Sequence, residues 1–114
     1  MEYKFEMGQG KLRVVVPKEL DHHLATQLKE EADLLIETYH VKTLIFDFTN
    51  TEFMDSSGIG LIMGRYRALG MGQKCIMAVN TGSHIDKLLH LSGVHRYMEI
   101  QRAEEEGEDY GKSK

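Results

Sequence analysis

The chain has 114 residues, 41% of them hydrophobic and 28% charged, with a net charge of −4. That is one domain, long enough to bury roughly two-thirds of its unfolded surface, and its acidic balance argues against gripping nucleic acid through a broad basic face. No apolar run approaches the length of a bilayer span, MEYKFEMGQG has no signal-peptide core, and the single cysteine, Cys75, rules out an internal disulfide or a cysteine-rich zinc module. Nothing requires an oxidising compartment, so the expected location is the cytosol. The expected working unit is a monomer or weak dimer that touches neither membrane nor nucleic acid and carries no cofactor.

Residues 2–7 alternate polar and apolar, with Tyr3, Phe5 and Met7 on one face, which is the period of a strand. Gly8-Gln9-Gly10 predicts a hairpin turn and the β-branched run 12–16 the return strand. Beyond Pro17 the period lengthens. Leu24, Leu28, Leu35 and Tyr39 fall near one helical stripe, with Lys29, Glu30 and Asp33 around the other face. Asp21 is placed to cap this helix, its carboxylate accepting an orphan backbone N–H. Residues 43–48 form a short apolar run, as expected of a strand covered on both faces.

A helix over 56–69, stopped by Gly70, and a buried strand over 74–79 follow. Ser83-His84-Ile85-Asp86 predicts a capping box with Asp in place of Glu, opening a short helix that Gly93 ends. Residues 96–100 predict a last strand. The polar stretch 101–114 predicts a frayed or weakly helical tail, so the domain is expected to span 1–100. The order β-β-α-β-α-β-α-β implies an α/β fold: a mixed, mostly parallel sheet with an antiparallel N-terminal hairpin and helices packed on it.

The stretch from Asn50 to Gly60 joins a strand to the following helix, where binding sites of open α/β sheets form. Ser56 and Ser57 stand where a helix start presents unpaired N–H groups and the positive end of its dipole. One of them could simply cap the helix. The alternative is a hydroxyl presented for phosphorylation: a phosphate adds roughly −1.5 to −2 charges and three acceptor oxygens, which the helix start tolerates and Asp55 repels. Such a change alters docking more than fold.

Ser56, Gly60, Gly64 and Ala68 are spaced four apart and share one side, while Ile59, Ile62, Tyr66 and Leu69 form a stripe better suited to the sheet. The small stripe is either a tight-packing surface or a groove for a partner. Cys75 and most of the seven methionines read as core filler, and Met54, beside the serines, as a possible partner contact.

The run Phe53-Met54-Asp55-Ser56-Ser57-Gly58-Ile59-Gly60, followed by Gly64-Arg65-Tyr66, resembles the signature of the anti-sigma-factor antagonists of the STAS domain family. Glu19-Leu20-Asp21-His22-His23 is similar to the sporulation branch, the antagonists of the anti-sigma-F factor. The resemblance covers about residues 3–100 and implies a regulatory protein rather than an enzyme. In it, the unphosphorylated antagonist binds an anti-sigma factor that is also a serine kinase, releasing the sigma factor. The kinase phosphorylates the serine after the aspartate, here Ser56, and a PP2C-type phosphatase reverses this. The resemblance places Asp21 near that serine. With Asp55, Ser57, Gly58, Gly60 and Gly64 it makes up the expected docking surface. Two departures stand out: Lys18, after Pro17, replaces the family's usual glycine, which bears on the pose of Asp21, and the C-terminal segment lacks the apolar residues of the family's last helix.

Other readings compete less well. Adjacent His22 and His23 point in different directions on a helix and cannot easily share a metal, and His40, His84, His90 and His95 show no ligand spacing. Gly58, Gly60 and Gly64 miss the dinucleotide spacing by one residue, and no Gly-Lys-Ser/Thr follows. Ser56 as a nucleophile needs a base that the sequence does not place, which leaves a small hydrolase as a minor alternative. A STAS scaffold or ligand sensor of a different, stress-type pathway is the other.

Overall fold

The computed structural model describes residues 2–104. Strand β1 (Lys4–Gly8) turns through Gln9 and Gly10, both at positive φ, into β2 (Lys11–Val15). Two left-handed residues match the twist of a tight antiparallel hairpin. The chain continues through β3 (Glu19–Leu20), α1 (His22–Tyr39), β4 (Thr43–Asp47), β5 (Phe53–Met54), α2 (Ser56–Ala68), β6 (Ile76–Thr81), α3 (Ser83–Ser92), a 3₁₀ turn over Val94–Tyr97 and β7 (Glu99–Arg102).

The main sheet has the order β1-β2-β4-β6-β7, antiparallel at the opening hairpin and parallel elsewhere, as the sequence pattern implies. Its central strands bury one face fully: Leu12, Val14, Leu44, Phe46, Ile76 and Ala78 have no exposed surface. The opposite face, with Arg13, Ile45 and Met77, is only half-buried, so 43–48 is not covered equally on both sides. Tyr39, placed on the α1 stripe by its spacing, is 58% exposed at the helix end, beyond the reach of the core. Cys75 is a buried core residue whose thiol pKa burial pushes up.

The last strand lies later than expected. Val94–Tyr97 closes into a 3₁₀ turn after Gly93, at φ 86°, and pairing with β6 begins at Glu99. Gln101 and Arg102 therefore belong to the sheet and not to a tail. Residues 105–114, the rest of the expected tail, lie outside the described residues.

One element is illegible in the sequence. Strands β3 and β5 pair in parallel as a second, two-stranded sheet, with Glu19 opposite Phe53 and Leu20 opposite Met54. Lys18 starts it: its carbonyl accepts hydrogen bonds from Glu52 N at 2.8 Å and Phe53 N at 3.1 Å. A backbone carbonyl serves here, so Lys18 fills the place of a glycine without disturbing the pairing.

Candidate functional site

The small sheet sets the site. Leu20 and Met54 are opposite one another, so the residues that follow, Asp21 and Asp55, begin α1 and α2 side by side. Both aspartates are N-caps in extended backbone. Asp21 Oδ1 accepts from Leu24 N at 3.0 Å, and Asp55 Oδ1 accepts from Ser57 N at 2.9 Å. The cap of α2 is therefore Asp55, not a serine. A carboxylate at the cap satisfies an orphan donor and sits at the positive end of the dipole, so neither hydroxyl is needed there.

The two serines then differ. Ser56, the first residue of α2, is exposed. Ser57 is half-buried, its Oγ 3.3 Å from His22 Nδ1 on the neighbouring helix. His22 is thus the residue of the Asp-His-His run that touches the serine pair.

Of the expected docking residues, Ser57, Gly60 and Gly64 line one groove between α1 and α2, the two helices that Asp21 and Asp55 cap, with Gly60 exposed and Gly64 partly so. Gly58 does not. It is buried, and a Cβ there would collide with the Met54 side chain and come within 3.2 Å of Leu20. Its role is to let α2 pack on the small sheet. At Gly60 and Gly64 a Cβ would meet nothing within 4 Å, so the small stripe is open rather than a packing surface. The apolar stripe packs as expected, with Ile62 buried and Ile59, Tyr66 and Leu69 against the core.

Met54 is 2% exposed and belongs to the core, whereas Phe53 is 47% exposed. Strand alternation decides which of two neighbours faces solvent, and pairing in β5 turns Phe53 outward. The exposed apolar residue beside the two serines is therefore Phe53 and not Met54.

Two buried charged groups fix the frame around the site. Asp47, at the end of β4, accepts on Oδ1 from Thr49 N, Thr49 Oγ1 and Asn80 Nδ2 at 3.0, 2.7 and 3.0 Å, and pairs through Oδ2 with Arg13. Burial pushes its pKa up, but the bonds from Thr49, Asn80 and Arg13 outweigh that and hold it at about 2. Asp47 thereby ties together the segments leading to α2 and α3. Arg65 is buried between α1 and α2, its Nε 2.9 Å from Asp33 Oδ1. That N–H is not directed at the oxygen, so the contact is an ion pair without a hydrogen bond. Burial lowers the Arg65 pKa and the Asp33 charge opposes that.

Among the described residues no group of three or more His, Cys, Asp or Glu side chains is placed to hold a metal, and no helix is long and apolar enough to cross a membrane. The STAS domain model matches residues 7–107. This chain is a member of the STAS domain family. It is 32% identical over 102 residues to the anti-sigma F factor antagonist of Paenibacillus polymyxa, covering 88% of this chain and 86% of that one. The solved structure of the anti-sigma factor antagonist SpoIIAA in its unphosphorylated form superposes with a TM-score of 0.77 at 29% identity, covering 96% of this STAS chain and 94% of that chain. The Bacillus cell fate determinant SpoIIAA in its phosphorylated form gives a TM-score of 0.68 at 29% identity over 98% and 99% of the two chains. The α/β fold read from the sequence is thus the STAS fold.

Proposed function

We propose that this STAS chain is an anti-sigma-factor antagonist of the sporulation type, switched by phosphorylation of Ser56. The unphosphorylated form binds an anti-sigma factor that is also a serine kinase and so releases the sigma factor. Phosphate on Ser56 ends that binding, and a PP2C-type phosphatase restores it. The chain acts in the cytosol as a binding module and carries out no catalysis itself.

One observation carries the reading: Asp55 holds the cap of α2 and leaves Ser56 exposed with no capping role. A phosphate there requires no rearrangement of the core. The helix dipole favours it, while Asp55 and Asp21 add like charge around it, so its main effect is on whatever docks. Exposed Phe53 and the open Gly60–Gly64 backbone supply apolar and close-approach surface beside it. Relatives named for their action on anti-sigma F and anti-sigma-B factors support the partner class.

The test is capture from source-cell lysate on three baits, the unaltered chain, Ser56→Ala and Ser56→Asp, with phosphate incorporation measured by mass after Mg-ATP is added. The expected result is a small ATPase-fold kinase held by the first two and lost by the third, and one phosphate gained by the unaltered chain alone. Equal capture on all three baits sinks the switch. A second reading, a ligand-sensing STAS module, has one observation in its favour: a cavity of about 390 Å³ lined by Tyr66, Met71, Lys74, Arg96, Tyr97 and Met98, away from Ser56. A small molecule copurifying with the chain in native mass spectra supports it, and bare protein counts against it.

A further inference from the structure

The groove between α1 and α2 specifies the docking partner further, in a step that rests on the antagonist reading. It has a volume of about 240 Å³ and runs from His22 and Ser57, beside the switch, to Lys29 and Arg65. His22 and Lys29 are two helical turns apart, so the groove is about 10 Å long. Gly60 and Gly64 lie along its α2 wall, where a Cβ at either position meets nothing within 4 Å. Interior glycines weaken a helix, and no packing inside the domain uses the space these two leave open.

The far end is cationic and incompletely paired. The Arg65 side chain is 7% exposed, and its Nη1 is buried without a hydrogen-bond partner. Lys29 Nζ lies 3.2 Å from Asp33 Oδ2 and Arg65 Nε lies 2.9 Å from Asp33 Oδ1, so two cations share one carboxylate. This end is positive in a chain of net charge −4. Buried donors are seldom left unused, and a guanidinium offers its donors in a fork that fits a carboxylate.

The geometry points to an acidic side chain of the anti-sigma factor as the occupant: an Asp or Glu on a segment lying along the Gly60–Gly64 backbone, its carboxylate entering between Lys29 and Arg65. That carboxylate pairs with Lys29 and Arg65, which both line the groove, and neutralises the surplus charge. The glycines admit the segment's backbone, as small residues do wherever two elements approach closely. Ser56 is nine residues from Arg65, about 13 Å along the helix, so the phosphate switch and this charge contact are separable.

Calorimetric titration of the full chain with the captured anti-sigma factor tests this. The variants are Lys29→Glu, Gly60→Leu and Ser56→Asp, each with its melting temperature measured. Lys29 is 54% exposed, so its reversal leaves the fold intact, unlike a change at Arg65. Lys29→Glu is expected to weaken binding about tenfold or more and to flatten its salt dependence. Gly60→Leu is expected to weaken it about thirtyfold by filling the groove. A Lys in place of one Asp or Glu of the partner restores affinity for Lys29→Glu only. If Lys29→Glu and Gly60→Leu bind like the unaltered chain while Ser56→Asp does not, the groove inference fails and the antagonist reading stands. Loss of binding in the two groove variants with Ser56→Asp unaffected leaves the groove in place and removes the switch. Unchanged affinity in all three overturns both.

Discussion

Helices α2 and α3 each begin with an exposed serine that sequence rules assign to capping, and in neither does that serine cap. At α2 the cap is Asp55, bonded to Ser57 N at 2.9 Å. At α3 it is Gly82, with no side-chain bond, and the expected Ser83–Asp86 capping box does not form. Asp86 instead pairs with Arg102 of β7 at 3.0 Å, because the sheet brings a cation to it from 16 residues away. The two serines occupy the same helical position, but Ser56 is followed by Ser57, which lies against His22 of the neighbouring helix and lines the groove between α1 and α2. A helix N-terminus becomes a candidate site through what surrounds it, not through its own residues.

The largest expected effect separates the two starts directly. Ser56→Asp weakens binding to the anti-sigma factor about a hundredfold or more, as an unpaired charge buried in an interface does, while Ser83→Asp leaves affinity unchanged. Titration of both variants measures this, and equal losses would break the comparison. Next in size are the α2 glycines. Gly58→Ala forces a methyl against buried Met54 and costs about 2 kcal/mol. Gly60→Ala meets nothing and stabilises by roughly 0.5–1 kcal/mol. Urea unfolding is expected to show opposite signs for substitutions only two residues apart.

Acid acts on both starts together, because Asp47 bonds Thr49 on the way to α2 and Asn80 on the way to α3. Its folded pKa, about 2, lies below the ordinary 3.8. The stabilisation is therefore complete above pH 3.8 and is lost as pH falls toward 2. It amounts to about 2 kcal/mol. Asp47→Asn is expected to be less stable than the unaltered chain at pH 7, with the gap closing as pH falls through that window. A gap that persists at pH 2 contradicts the assignment. The smallest effect concerns the caps themselves: Asp55→Ala costs about 1 kcal/mol in thermal unfolding, and Ser83→Ala about zero.

Much of the fold was legible because it is written in local periodicity. The hairpin turn at Gln9-Gly10, the alternation of β2, the long stripe of α1 and the left-handed stop at Gly93 each follow from neighbours in sequence. Asp21 as a cap was legible for the same reason. The last strand was misplaced because Arg96 and Tyr97 carry strand-like composition, while closure of a 3₁₀ turn after Gly93 claimed them first.

The Asp-Ser-Ser-Gly core and the Asp-His-His run pointed to the family by sequence alone, and the structure brings the two segments into contact. What the sequence could not decide was how those segments meet. Strands β3 and β5 are two residues each, too short for any period, and they pair across more than thirty positions of chain. That pairing makes Asp55 the cap, turns Phe53 outward, buries Met54 and Gly58 and brings His22 to Ser57. It also sets α2 against α1, so that Arg65 and Lys29 share Asp33 across the groove. Each of these depends on contacts between distant residues, which local propensity does not encode; only the packed chain assigns them.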